Sequence, residues 1–234
     1  MKNLFSIFSK IIKDALFPIF CLQCNREGTL LCEECSFFVE RRGLSLCPVC
    51  RADAARGRPC PACQDKTLLS SHIALGLFEE TNLLGRLIYS YKYNFLDEAL
   101  PLFDRFIREF IEKNRELFSQ VDLIVPVPLH RRRFAERGFN QAEKIGEIVS
   151  KYLGVPLQNV LKRKRATRQQ AKLGRSERVD NMQDAFVLKN NIVVGKNILL
   201  IDDVLTTGST LFECAKVLRA NGAREGSAFT LARG

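Results

Sequence analysis

The chain of 234 residues holds no apolar stretch approaching the ~20 residues that a membrane-spanning helix requires. That excludes an integral helical membrane protein. Near its start, MKNLFSIFSKIIKDALFPIF lacks both the unbroken apolar centre and the small-residue cleavage site of a secretion signal. Leu4, Ile7, Ile11, Ala15 and Ile19 recur there at roughly helical spacing, which predicts an amphipathic helix packed on the rest of the protein, with a membrane-surface helix as the alternative. There is also no G-x-x-x-x-G-K-[ST] segment. Without that phosphate loop the later Ile-Asp-Asp stretch cannot be the Walker B strand of an ATPase. Histidine is scarce, with only His72 and His130. His130 stands among arginines, reads as a turn residue, and leaves no side chain that presents itself as a general base. Beyond the cysteine pairs, no repeat is visible.

What is abundant is cysteine and positive charge. Eight of the nine cysteines form four C-x-x-C pairs: Cys21/Cys24, Cys32/Cys35, Cys47/Cys50 and Cys60/Cys63. Each such turn lets two sulfurs meet one ion, and four thiolates complete a tetrahedral zinc site. Two structural Zn²⁺ ions are therefore expected, with every protein ligand position filled by sulfur. A segment this rich in polar and turn residues has little core, so metal would supply its folding energy. Disulfides and iron–sulfur chemistry are the rivals. Nothing indicates secretion, and thiols stay reduced in the cytoplasm, which is the expected location. Sharing of one ion by consecutive pairs closes the shortest loops, and a cross-braced arrangement stays open. Cys214 stands apart and reads as a small buried side chain.

The net charge of +10 favours phosphorylated or polyanionic partners. It is concentrated in two segments. One is VPVPLHRRRFAERGFNQAEKIG, residues 125–146, where Arg131, Arg132, Arg133 and Arg137 either face phosphate or form a solvated basic turn. The other is LKRKRATRQQAKLGRSERVDN, residues 161–181, with eight Lys or Arg against one Glu and one Asp. The second has no apolar period and reads as a lid or a polyanion-binding arm.

Strands are expected at 73–78, 122–127, 185–188, 198–201 and 227–231. Helices are expected at 83–93, 96–118, 139–153 and from Gly208 to Ala220. Strands alternating with helices predict a parallel doubly wound sheet. ILLIDDVLTTGSTL, residues 198–211, is its most informative stretch. A short apolar strand runs into Asp202 and Asp203, then into Thr206, Thr207, Gly208, Ser209 and Thr210, which open a helix. The loop lies where ligands bind in open α/β sheets. Its N–H and hydroxyl groups suit a phosphate. The carboxylates suit two neighbouring hydroxyls, or a Mg²⁺ reached through water.

This stretch resembles the phosphoribosyl diphosphate (PRPP) motif of type I phosphoribosyltransferases. The resemblance implies that Asp202 and Asp203 hold ribose hydroxyls and that Thr206 to Thr210 hold the 5′-phosphate. Over nearly the whole chain, LFPIFCLQC, VPVPLHRRRFAERGFNQA, RATRQQAKLGRSERVDNMQDAF and IDDVLTTGSTL resemble, in that order, the ComF family of competence-related proteins. The resemblance implies an α/β type I phosphoribosyltransferase-like domain with a parallel sheet flanked by helices, at 67–234, behind an N-terminal helix and double zinc ribbon at 1–66. It adds Arg137 to the PRPP site, and Arg165, Thr167, Gln170, Arg178 and Asn181 as a flexible loop beside it. Implied partners are PRPP with Mg²⁺ or a related phosphorylated sugar, single-stranded DNA, and DNA-uptake proteins. Two functions follow: DNA handling with a PRPP pocket that senses or is reused for phosphates, or an active transferase of nucleotide metabolism.

Overall fold

The computed structural model describes residues 18–93, 96–164 and 184–234. The N-terminal amphipathic stretch before residue 18 therefore lies outside the described residues. So do Arg165, Thr167, Gln170, Arg178 and Asn181.

A four-stranded parallel sheet forms the centre, in the order β1 (Ser71–Leu77), β6 (Glu225–Arg233), β5 (Asn197–Leu205), β2 (Leu123–Pro126). Alternate residues of β5 feed opposite cores, as a strand's period of two requires. Leu199 and Ile201 pack with α1 (Leu83–Tyr93), α2 (Leu96–Lys113) and α4 (Gln141–Leu153), whereas Ile198 and Leu200 pack with α5 (Ser209–Ala220). Burial on both faces explains why β5 reads as a continuous apolar run. Its hydrogen-bonded span continues through both acids to Leu205, four residues past the expected strand end.

Two further differences from the sequence expectation have local causes. Residues 186–188 do form a strand, β4, but it pairs antiparallel with β3 (Leu161–Arg163) and stays outside the parallel sheet. The basic segment 161–181 thus begins as a strand. The arginine-rich stretch is also not a plain turn: Arg131–Arg137 forms helix α3. His130 caps it, its Nδ1 accepting from the Arg132 N–H at 3.2 Å, and Gly138 at φ +79° closes it in the left-handed conformation. Asn140 then caps α4. Its Oδ1 accepts from the Ala142 N–H, and its Nδ2 donates to the Val127 carbonyl, pinning the helix start to the end of β2.

The cysteine-rich segment packs directly on this scaffold. Leu30, Leu31 and Val39 join the core around Phe103, Phe106 and Phe110 of α2. Leu44 bridges Ala74 at the open edge of β1, and the Gly43 N–H donates to the Leu75 carbonyl. Among the described residues, no helix is long and apolar enough to cross a membrane.

Candidate functional site

At the carboxyl edge of the sheet lies a cavity of about 830 Å³. It is built from the end of β5 and its following loop, the C-terminal turn of α1, the α3–α4 junction and the end of β3. Asp202, Asp203, Thr206, Thr207, Gly208, Ser209, Thr210 and Arg137 all line it, so the fold brings these sequence-identified residues together. The four arginines divide. Arg133 and Arg137, one helical turn apart, line the cavity, while Arg131 and Arg132 are exposed and Arg132 is engaged by Glu136 at 3.2 Å.

Because β5 stays extended through the twin acids, their side chains diverge. Asp203 meets the Lys92 ammonium of α1 at 3.0 Å, and both groups are largely buried. Asp202 lies toward Arg163 and Cys214 of the other layer and accepts from the Asp203 N–H at 2.9 Å. Burial, reinforced by the neighbouring Asp203 charge, pushes the Asp202 carboxyl up from 3.8 to about 7. Lys92 and Arg163 act against that rise without cancelling it. Burial also pulls the Arg163 guanidinium down to about 10, with Arg133 adding repulsion.

The loop after the acids is preformed. Gly208 adopts φ +84°, and a Cβ there would come within 2.3 Å of the Phe212 ring. The Thr207 and Ser209 hydroxyls are 2.9 Å apart, and Ser209 starts α5, whose first residues Ser209 to Leu211 line the cavity. Arg233 braces the loop from behind. It is 2% exposed, and its Nη1 donates to the Leu205 carbonyl at 2.7 Å, to the Thr206 carbonyl, and to the Gly234 carbonyl at 2.9 Å. Its Nη2 donates to the Pro48 carbonyl at 3.1 Å. Pro48 lies inside the Cys47–Cys50 turn, so one guanidinium ties a cysteine knuckle to the phosphate-type loop.

Lys92 and Arg233 escaped the sequence reading, whereas Arg163 fell inside the basic segment 161–181 without being singled out. Lys92 sits in an ordinary helical pattern and Arg233 beside the terminal glycine. Only folding reveals that each meets the motif. Cys214 is fully buried in the α5 core, as expected, and burial holds its thiol well above the usual range. His130 is the α3 cap.

The cysteines gather in two sets, Cys21/Cys24/Cys32/Cys35 and Cys47/Cys50/Cys60/Cys63, with all sulfurs of a set within 4.8 Å of one another. Consecutive pairs share a site, and the cross-braced alternative is excluded. A tetrahedral zinc with Zn–S near 2.3 Å requires sulfurs about 3.8 Å apart. The Cys21–Cys32, Cys24–Cys32 and Cys50–Cys60 sulfurs lie 3.8, 3.7 and 3.6 Å apart, which fits. The two sets repeat one design: the Cys32 N–H points at the Cys21 sulfur and the Cys60 N–H at the Cys47 sulfur. Burial would raise the Cys21 and Cys47 thiols, but N–H donors from the turns outweigh it and bring both down to about 6. These residues suit a structural Zn²⁺, which would cross-link each pair of turns. Among the described residues, no other group of three or more Cys, His, Asp or Glu side chains converges this way. A hard cation at the acids would therefore rely on ligand oxygens as well.

The phosphoribosyl transferase domain model matches residues 140–234. DNA utilization protein YhgH of Salmonella typhimurium is 33% identical over 224 residues, covering 92% of this chain and 97% of that protein. Competence protein ComFC of Streptococcus pneumoniae is 31% identical over 216 residues, covering 91% of each. Competence protein F of Haemophilus influenzae is 40% identical over 115 residues, 48% of this chain and 50% of that protein. End-to-end likeness to YhgH and ComFC, a phosphoribosyltransferase-type match over residues 140–234, and two four-cysteine clusters ahead of it place the chain in the ComF family.

Proposed function

We propose that the cavity binds PRPP or a related phosphorylated sugar with Mg²⁺, and that the protein uses this site while handling single-stranded DNA in the cytoplasm. The supporting observation is the convergence, on one cavity, of an extended acid pair, a preformed Gly208 loop at a helix start, and cationic side chains from three other elements. The loop N–H and hydroxyl groups of Thr206 to Thr210 receive the 5′-phosphate. Asp202 and Asp203 accept hydrogen bonds from the ribose hydroxyls. Mg²⁺, when bound with the diphosphate, neutralises charge there. Arg133 and Arg137 face the diphosphate from α3. The basic segment 161–181, rooted at β3 beside the cavity, supplies further charge for a nucleic-acid backbone. The relatives named for competence and DNA utilization favour the DNA role over nucleotide supply.

A second reading is a working transferase, in which a nucleophile bonds to ribose C1 as the C1–O bond to pyrophosphate breaks. The cavity volume favours it, being near the upper end of the roughly 300–1,000 Å³ usual for ligand pockets. That leaves room for an acceptor beside the sugar.

Titration calorimetry with PRPP and Mg²⁺ tests the shared premise. Binding should be lost on combined Asp202→Asn and Asp203→Asn substitution. Absence of binding to the parent protein refutes both readings. Release of pyrophosphate on addition of candidate bases selects the transferase. DNA handling predicts oligonucleotide binding that weakens steeply with salt and survives the double substitution.

A further inference from the structure

Helix α1 turns Leu84, Leu87, Ile88 and Tyr91 into the core. Its other face carries Tyr89 and Tyr93, which are 61% and 56% exposed. Their rings neighbour each other with centroids 4.8 Å apart. The Arg137 guanidinium lies 5.1 Å from the Tyr93 ring centroid. All three residues line the cavity that holds Asp202 and Asp203. Two large rings left in water contribute nothing to the core. A cation held over one of them, beside a cavity, forms a surface with π faces and positive charge together.

We propose that Tyr89, Tyr93 and Arg137 form a stacking platform for unpaired bases of single-stranded DNA at the cavity mouth. This rests on the DNA-handling reading above and gives it a location. Aromatic faces accept any base, and a guanidinium can stack on a base while facing a phosphate. Arg133, one turn back on α3, continues the positive edge. Glu80, Glu98 and Glu136 also line the cavity, and Glu136 is engaged by Arg132. The carboxylates leave the lining without a uniform positive field, so the rings must supply much of the affinity. A folded duplex hides its base faces, which makes an unpaired strand the fitting occupant.

The chain has no tryptophan and four tyrosines, so its own fluorescence reports on these rings. Full-length protein is titrated with a twelve-residue thymidine oligonucleotide and with an abasic strand of equal phosphate count. Stacking predicts tighter binding of the thymidine strand by about tenfold, with quenching of tyrosine emission. Combined Tyr89→Ala and Tyr93→Ala substitution should abolish that preference while leaving the salt-dependent abasic binding. Combined substitution to Phe should keep the preference. Unchanged zinc content and circular dichroism control for folding. Equal binding of both strands by the parent protein overturns the platform and leaves DNA binding standing. Failure to bind either strand overturns the DNA reading as well, whereas the PRPP titration decides the sugar site independently.

Discussion

Replacing Asp202 with Asn should stabilise the protein at alkaline pH and do nothing at pH 4. Asn keeps the shape of the side chain and the oxygen that accepts from the Asp203 N–H. It removes a charge that burial and Asp203 oppose. A carboxyl raised from 3.8 to about 7 holds its proton more tightly in the folded state than in the unfolded chain. Between those values the folded state binds the extra proton, so stability falls as pH rises from about 4 to about 7, and levels off above. At 1.36 kcal/mol per pH unit the loss amounts to about 4 kcal/mol. For a chain of this size each kcal/mol moves Tm by about 2–4 °C, so the variant should melt about 8–16 °C above the parent at pH 8. Calorimetric scans of both proteins at pH 4, 5, 6, 7 and 8 measure the difference directly, because other titrating groups are common to both. Parallel pH profiles, or a variant less stable at pH 8, would refute the assignment of a strained acid at the end of β5. The same substitution should cost PRPP affinity, the usual exchange of stability for function at a binding site.

Arg233→Met removes the donor shared by the Leu205, Thr206, Gly234 and Pro48 carbonyls. The Leu205 carbonyl keeps the Gly234 N–H, but the Thr206, Gly234 and Pro48 carbonyls lose a donor. Of these bonds only the one to Pro48 is fully buried, so a loss of about 3 kcal/mol and a Tm drop of about 6–12 °C are expected, together with weaker PRPP binding by calorimetry. Gly208→Ala forces a side chain into the left-handed region and against the Phe212 ring, and should raise the Kd for PRPP at least tenfold while circular dichroism stays near that of the parent. Metal analysis should find two zinc ions per chain. Stripping them with a chelator should expose the core shared by Leu30, Leu31, Val39 and Phe106, seen as dye binding and loss of cooperative melting.

Much of this architecture was legible in the chain itself. The unbroken Ile198–Ile201 run announced a strand covered on both sides, since only double burial removes the polar alternate positions. The C-x-x-C turns announced metal sites, because local spacing alone brings two sulfurs together. The Thr206–Thr210 run around Gly208 announced a loop opening a helix. Each of these depends on neighbours within a few residues. Which cysteine pairs share a site, the ion pair of Lys92 with Asp203, the divergence of the twin acids, and the bond from Arg233 to Pro48 across 185 positions were decided only by the tertiary structure. The tyrosine and arginine surface above the cavity belongs with them. These features join segments far apart in sequence, and charge, burial and hydrogen-bond geometry between such segments exist only once the sheet has set their positions.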